Sequence, residues 1–577
     1  MTQTRTGATS LVRQLEHYGV EFVFGLCGHT NIAVLNALEA SPISFLTSRH
    51  EQVAAHAADG YARLSGKPGV LLVHVGPGLT NATTGVATAA ADSIPMVVIS
   101  GDVPSYFHGR HPHQEINLHA DAEQGGIFRP FVKRVWNVHR VEDLPRFVER
   151  AFWTATSGRP GPVLVNVPMD MFSRPLDQDM PPSLPITAGK PRLAAGIAEL
   201  IAGDLAAAER PLVYVGGGVR APAARQALGE IVEHLDVPVA HSLMGKGCLP
   251  DDHPLVIGML GFWGSDFGND YARRADLVVA LGTRFAETDS SSWDPRYGLT
   301  VPPTRLIQID VDAAEIGRNY PVEIGAVADV SEALPEVSEA VRFGTTPVAR
   351  PALRSEIAES RGAVWARMAE RGSRDDFPLA PERILEEVRT EAPSETILVT
   401  DVGWNKNGVA QAYRLPASGL FVTPGGFSTM GYGPAAAIGV KLAVPDRPVV
   451  ALVGDGAMSN QLSAIVTAVE HGVEVIWVVM NNSAFGTIAG LQESNFGTDY
   501  GCVFVDSSGE PYSPDFAGIA AASGARGIRV GSASEFAPAF REALAAGRPA
   551  LVDVPMVNDP VPTPGHWNIN DVYQGVF

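Results

Sequence analysis

The stretch from Val449 to Glu493 restricts the fold of this chain more than any other. Val449 to Val453 is a short run of β-branched and apolar residues, the pattern of a parallel strand buried on both faces. It stops at Gly454-Asp455-Gly456-Ala457. Ser463 to Glu470 has helical character, and a second apolar run, Val473 to Met480, ends in Asn481-Asn482. The spacing predicts a strand-helix-strand unit with a carboxylate at one strand tip and an amide oxygen at the next.

Ligands of open α/β sheets bind just outside the carboxyl ends of strands, so Asp455 and Asn482 are expected side by side there. Mg²⁺ takes hard oxygen ligands in octahedral geometry and keeps positions for phosphate oxygens and water. One carboxylate, one amide oxygen and a backbone carbonyl near Ala484 leave room for a diphosphate. Gly456 and Ala457 would offer bare N–H groups to the same anion. Either motif alone reads as a turn or loop; the pair, with a strand behind each, resembles the diphosphate and metal motif of thiamine diphosphate (ThDP) enzymes.

A chain of 577 residues is too long for one core and suggests about three domains. Its 45% hydrophobic content, 59 glycines and 44 prolines fit a loop-rich α/β enzyme. The net charge of −20 argues against nucleic acid as a partner. The only cysteines are Cys27, Cys248 and Cys502, which excludes a disulfide framework and a cysteine zinc site and favours a cytoplasmic location. No signal peptide or membrane-spanning run is expected.

The resemblance implies α/β architecture with three doubly wound parallel-sheet domains: pyrimidine-binding over 1–175, a middle nucleotide-binding-like domain over 190–345, and diphosphate-binding over 375–556. Proline-rich 172–190 and the segment 344–378, with one charged helix, are the linkers. In the first domain, Glu51 follows the strand Ser44 to Thr47 and opens a small-residue helix. Alone, it reads as a glutamate favoured by the helix dipole. By resemblance it is the catalytic glutamate that shares a proton with the cofactor's aminopyrimidine. Gly76-Pro77-Gly78 through Asp92-Ser93-Ile94-Pro95-Met96 resembles the acetohydroxyacid synthase branch. A polar loop with His108, His111, His113 and His119 and the pair Gln114-Glu115 reads better as an active-site loop than as a zinc site.

The resemblance also implies cofactor contacts from Gly28, Pro77, Asn81, Asn405, Ser428, Gly454, Gly456, Ala457, Phe485 and Gly486. Met430 would be the apolar wedge that bends the cofactor, the alternative being core filler. Metal ligands would be Asp455, Asn482 and Ala484. Gly217, Arg284 and Asp310 fall on a middle-domain site that holds FAD in acetohydroxyacid synthases and ADP in oxalyl-CoA decarboxylases, and is empty in many members. A tight turn explains Gly216-Gly217-Gly218 equally well.

Three positions depart from the acetohydroxyacid synthase pattern. Thr288 stands where an arginine steers a 2-ketoacid carboxylate, Leu491 replaces a tryptophan and His113 a phenylalanine. A lost guanidinium–carboxylate pair costs about 2–5 kcal/mol. These changes point to the 2-hydroxyacyl-CoA lyase and oxalyl-CoA decarboxylase group, hence a Mg²⁺-dependent lyase that splits an acyl-CoA thioester into formyl-CoA and an aldehyde or ketone. Glu493, His113 and Gln114 are its candidate acid/base groups, and the tail 557–577 a lid or a frayed end. The alternative is an acetolactate synthase-like carboligase or a decarboxylase, which needs a carboxylate-binding arginine that the sequence does not locate. Glu51 and Asp455 would grip one cofactor from different chains, in a homodimer or homotetramer.

Overall fold

Short apolar runs ending at glycine fold as parallel strands in three separate sheets. The computed structural model describes residues 5–120, 123–176, 186 and 189–558. The tail from 559, expected as a lid, lies outside the described residues.

The first sheet contains β1 (Phe22–Gly25), β2 (Ser44–Thr47), β3 (Gly69–Val73), β4 (Met96–Asp102), β5 (Val135–Asn137) and β6 (Pro162–Pro168), in the order β2-β1-β3-β4-β6-β5. The second contains β7 (Pro211–Val215), β8 (Val239–His241), β9 (Val256–Met259), β10 (Leu277–Leu281), β11 (Arg305–Asp310) and β12 (Ile324–Val327), in the order β12-β11-β10-β7-β8-β9. The third contains β13 (Ile397–Thr400), β14 (Leu420–Val422), β15 (Val449–Gly454), β16 (Ile476–Asn481), β17 (Arg526–Arg529) and β18 (Ala550–Pro555), in the order β14-β13-β15-β16-β18-β17. Every pairing is parallel, and helices connect the strands.

The order of successive strands reverses near the middle of each sheet: between β1 and β3, between β7 and β10, and between β13 and β15. A crevice opens at such a reversal because the two connections leave on opposite faces. The three loop clusters at these points are the chain's natural ligand sites.

The second strand of the opening motif starts later than its apolar run suggests. Gly472, at φ 61°, stops the Ser463–Glu470 helix, and Val473 N–H donates back to the Ala468 carbonyl. Val473 thereby closes the helix, and the strand begins at Ile476.

The first and third domains share one unbroken apolar core, whereas the middle domain has its own. The join is the crossing of the Glu51–Ser65 helix with the Tyr432–Ala443 helix. Small residues line it, Ala54, Ala57, Ala58 and Gly60 on one side and Ala435, Ala436 and Gly439 on the other, all buried. The backbones meet so closely that a methyl group at Gly439 would overlap the Ala57 carbonyl, and one at Gly60 the Ala436 carbonyl. Gly439→Ala is expected to destabilise the protein by about 1–3 kcal/mol, the usual effect of overpacking a rigid contact. Urea unfolding measures it, and an unchanged midpoint would contradict this account of the join.

Candidate active site

The third sheet's reversal point brings together the loops after β13 and β15. Pairing of Gly454 with Met480 puts Asp455 beside Asn481, one residue before Asn482. Asp455 is buried, and one carboxylate oxygen, Oδ1, accepts from Gly456 N–H at 2.9 Å. Backbone N–H groups of Ser483 and Ala484 also reach this carboxylate, yet burial dominates and pushes it up to about 6. Its Oδ2 has no partner. Asn482 gives its Nδ2 to Asn558 Oδ1 at 3.0 Å, which leaves the amide oxygen for another use.

The third domain holds further buried polar atoms without hydrogen bonds, two of them at the loops beside Gly454. Asn405 Oδ1, Asn407 Oδ1, Asn481 Oδ1 and Thr487 Oγ1 are buried without hydrogen bonds. Asn405 borders Gly454, and Gly403 lies against both Asn405 and Thr487. Buried polar groups are ordinarily satisfied, so the unpartnered oxygens of Asp455, Asn405 and Thr487 at this strand-end crevice suit a cation and its anionic ligand. Two expectations need adjustment. Gly456 N–H is not bare, because the Asp455 side chain folds back onto it. Gly456 and Gly486 serve packing: a methyl at the first would strike the Phe485 ring, and one at the second the Asn482 amide. Ala457 is buried in the Asp455–Asn460 helix.

Beside this site, Asp401 accepts from Gly431 and Gly433 N–H at 3.2 and 2.7 Å and so shapes the loop that carries Ser428 and Met430. Met430 and Phe427 are exposed apolar residues there, as a surface awaiting a ligand would be. Asp92 pins the same loop, accepting from Gly426 N–H at 2.6 Å and from Arg63 at 2.7 Å.

The first domain's site is built around Glu51, which is 5% exposed. Asn81 Nδ2 donates to Glu51 Oε2 at 3.0 Å, and Gly78 leaves Oε1 uncovered, since a Cβ there would stand 3.3 Å from it. Pro77 opens the helix that carries Asn81. His113 and Gln114 do join this region: Gln114 Oε1 lies 2.7 Å from His74 Nε2, and the His113 ring stacks on His29 at 6.0 Å. His29 in turn meets His74 edge-on at 4.7 Å. Burial, then the two neighbouring imidazoles, lower the His29 pKa. Gly28 permits this packing, as a methyl would strike the His74 ring. His29 and His74 were missed in the sequence although both sit at strand-end loops. Glu493 is not part of this group; it is exposed on the Gly486–Phe496 helix of the third domain.

Within one chain the two half-sites face apart. The Thr47 carbonyl accepts from His471 Nε2 at 3.0 Å, and Arg49 pairs with Glu470 at 2.7 Å. Glu470 and His471 end a helix that runs back from the Asp455 tip, so Glu51 sits at the opposite end of the third sheet. The other end of its 15-residue helix, about 22 Å away, brings Arg63 to the Thr423 carbonyl and the Gly426 loop.

At the middle sheet's reversal point, a cavity of about 1020 Å³ is lined by Gly217, Arg284 and Asp310, and reaches Arg63 and Asp92. Arg284 donates to the Ala91 carbonyl at 2.7 Å. Burial pushes Asp310 up to about 6.

Profiles of thiamine pyrophosphate enzymes match three successive blocks: the N-terminal TPP binding domain over residues 5–122, the central domain over 198–337 and the C-terminal TPP binding domain over 401–554. The chain belongs to the thiamine pyrophosphate enzyme family. It is 34% identical to the probable acetolactate synthase large subunit of Methanocaldococcus jannaschii, over 95% of this chain and 91% of the relative. It is 33% identical to the acetolactate synthase isozyme 3 large subunit of Escherichia coli, over 93% and 92%. The Corynebacterium glutamicum acetolactate synthase large subunit is also 33% identical, over 95% and 86%.

These relatives overturn the expectation of a 2-hydroxyacyl-CoA lyase with an acyl-CoA substrate. The 2-hydroxyl deprotonation expected of Glu493, His113 and Gln114 falls with it. The departures at Thr288, Leu491 and His113 are three positions, whereas similarity to these relatives runs through at least 93% of the chain. No described helix is long and apolar enough to cross a membrane.

Proposed function

We propose that the protein is an acetolactate synthase-like carboligase that joins 2-ketoacids, two pyruvate anions and one proton giving acetolactate and carbon dioxide. The observation that carries this reading is the 34% identity to an acetolactate synthase large subunit over 95% of the chain. Bound ThDP supplies the nucleophilic carbon and electron sink for acyl transfer. Asp455 Oδ2 and the Asn482 amide oxygen, with the backbone at Ala484, would hold Mg²⁺ and through it the diphosphate. Asn405, Ser428 and the Gly454 loop would flank that diphosphate, with Met430 packing beneath the cofactor. Glu51 Oε1, left open by Gly78 while Asn81 fixes Oε2, would hold the proton shared with the aminopyrimidine.

Because Glu51 and Asp455 sit at opposite ends of one chain's third sheet, the reading requires a second copy to complete each site, and hence a dimer or a pair of dimers. It also assigns a nucleotide, ADP or FAD, to the middle cavity, where Asp310 would accept from ribose hydroxyls. Calorimetry with each nucleotide tests that assignment: Asp310→Asn should weaken uptake, and no uptake of either would contradict it.

Purified protein with ThDP and Mg²⁺ is expected to convert pyruvate to acetolactate. Glu51→Gln should lower turnover by about 10²–10⁴-fold, the range for a lost acid/base group, while cofactor binding persists. An absence of acetolactate from the loaded wild-type protein would contradict the carboligase reading.

A further inference from the structure

The loop after β1 carries His29 and the loop after β3 carries His74, so the two imidazoles meet across the reversal point of the first sheet. His74 is locked in place. Thr30 presents both its N–H and its hydroxyl to His74 Nδ1, at 3.5 and 2.9 Å, and a backbone N–H can only donate. Nδ1 therefore accepts, the proton sits on Nε2, and Nε2 donates to Gln114 Oε1 at 2.7 Å. Gly78 joins this ring to the Glu51 carboxylate, since a methyl there would stand 3.0 Å from His74 Cβ and 3.3 Å from Glu51 Oε1.

His29 is the opposite case. It is exposed, sits between the rings of His74 and His113, and forms no hydrogen bond or ion pair among the described residues. Both of its ring nitrogens are free to exchange a proton. Partial desolvation, then the two neighbouring imidazoles, lower its pKa, so the ring is mostly neutral at neutral pH. The other ionisable groups on the loops around it are Cys27 on its own loop, His74 after β3, and His113 and Glu115 on the histidine loop, with Glu51 beyond Gly78. Glu51 gives Oε2 to Asn81 and has its own proton to hold at Oε1. His74 uses both nitrogens, Asn81 and Gln114 are amides that carry no proton, and His113 meets His29 one ring further from Glu51.

We propose that His29 is the proton carrier for the carbon–carbon bond-forming half of the reaction, acting on the carbonyl oxygen of the second 2-ketoacid. This rests on the carboligase reading. As the new carbon–carbon bond forms, the acceptor's carbonyl oxygen takes the electron pair of its π bond and needs a proton. As product leaves, the hydroxyl of the donor fragment gives one up and becomes the ketone of acetolactate. A neutral imidazole supplies the first proton from one nitrogen and takes the second at the other. The ring ends neutral, and no further reactant is needed.

The test compares wild type, His29→Ala and His29→Gln, each loaded with ThDP and Mg²⁺. Because the His29 ring bonds to nothing, both variants should fold with unchanged thermal midpoints and ThDP affinity. Their kcat for acetolactate should fall about 10²–10⁴-fold, the range for a positioned acid/base group, while a single turnover still releases carbon dioxide from the first pyruvate. Glutamine keeps a hydrogen-bonding side chain but carries no proton, so it should not rescue. Wild-type kcat should drop as pH falls through the lowered His29 pKa, since a protonated ring cannot accept, and His29→Ala should lack that limb. NMR of protein labelled at the histidine ring nitrogens reads the site without turnover: the His29 resonances should shift on addition of acetylphosphonate, a pyruvate analogue that cannot lose carbon dioxide. Unchanged kcat in either variant, an acid limb kept in His29→Ala, or resonances indifferent to the analogue would overturn the inference and leave the carboligase reading standing. No acetolactate from wild type would overturn that reading instead, and the NMR shift then decides by itself whether His29 faces the ligand.

Discussion

The contact on which the rest depends is the crossing of the Glu51–Ser65 and Tyr432–Ala443 helices. Glycine at positions 60 and 439 lets two backbones approach to carbonyl contact, so the first and third domains share one core and cannot slide relative to one another. Arg63 locks the far end of the crossing, buried between Asp59 and Asp92, while the Tyr432 hydroxyl donates to Asp59 at 2.7 Å. Removing one member of such a buried set leaves an uncompensated charge, so orientation and electrostatics reinforce each other. The consequence is functional. A rigid join that points Glu51 away from its own chain's Asp455 fits a site completed by a second copy.

The three reversal points of the three sheets give the chain three crevices, and each holds a different chemistry. The first gathers Glu51, Asn81 and a histidine cluster beside it. The second opens into the nucleotide-sized cavity. The third concentrates buried oxygens without partners. Asp92 touches all of this at once, since it caps one helix of the first domain, lines the middle cavity and holds the Gly426 loop of the third.

Much of this was legible in the chain. Strands buried on both faces, such as Pro211–Val215 and Ile397–Thr400, stand out as short apolar runs and form where the pattern puts them. Strands such as Val135–Asn137 and Leu420–Val422 escape because three residues at a sheet edge, mostly half-buried, are too few to carry a periodic signal. Gly-Asp-Gly and Asn-Asn announced a metal and diphosphate site because the chemistry needs oxygens at two strand tips. Lys406 was invisible as a buried residue, since a lone lysine after Trp404-Asn405 reads as solvated helix surface until Trp263, 143 positions earlier, folds against it. The reaction was not legible because the departures at Thr288, Leu491 and His113 are local, whereas the likeness to an acetolactate synthase large subunit runs through 95% of the chain.

The central claim is that the buried oxygens around Asp455 hold a divalent metal and, through it, a thiamine diphosphate. Calorimetric titration of the coenzyme into metal-free protein, with and without Mg²⁺, tests it most directly. The account requires tight uptake with Mg²⁺ that disappears with chelator and in Asp455→Asn. Equal uptake with and without the metal, or none under either condition, would contradict it.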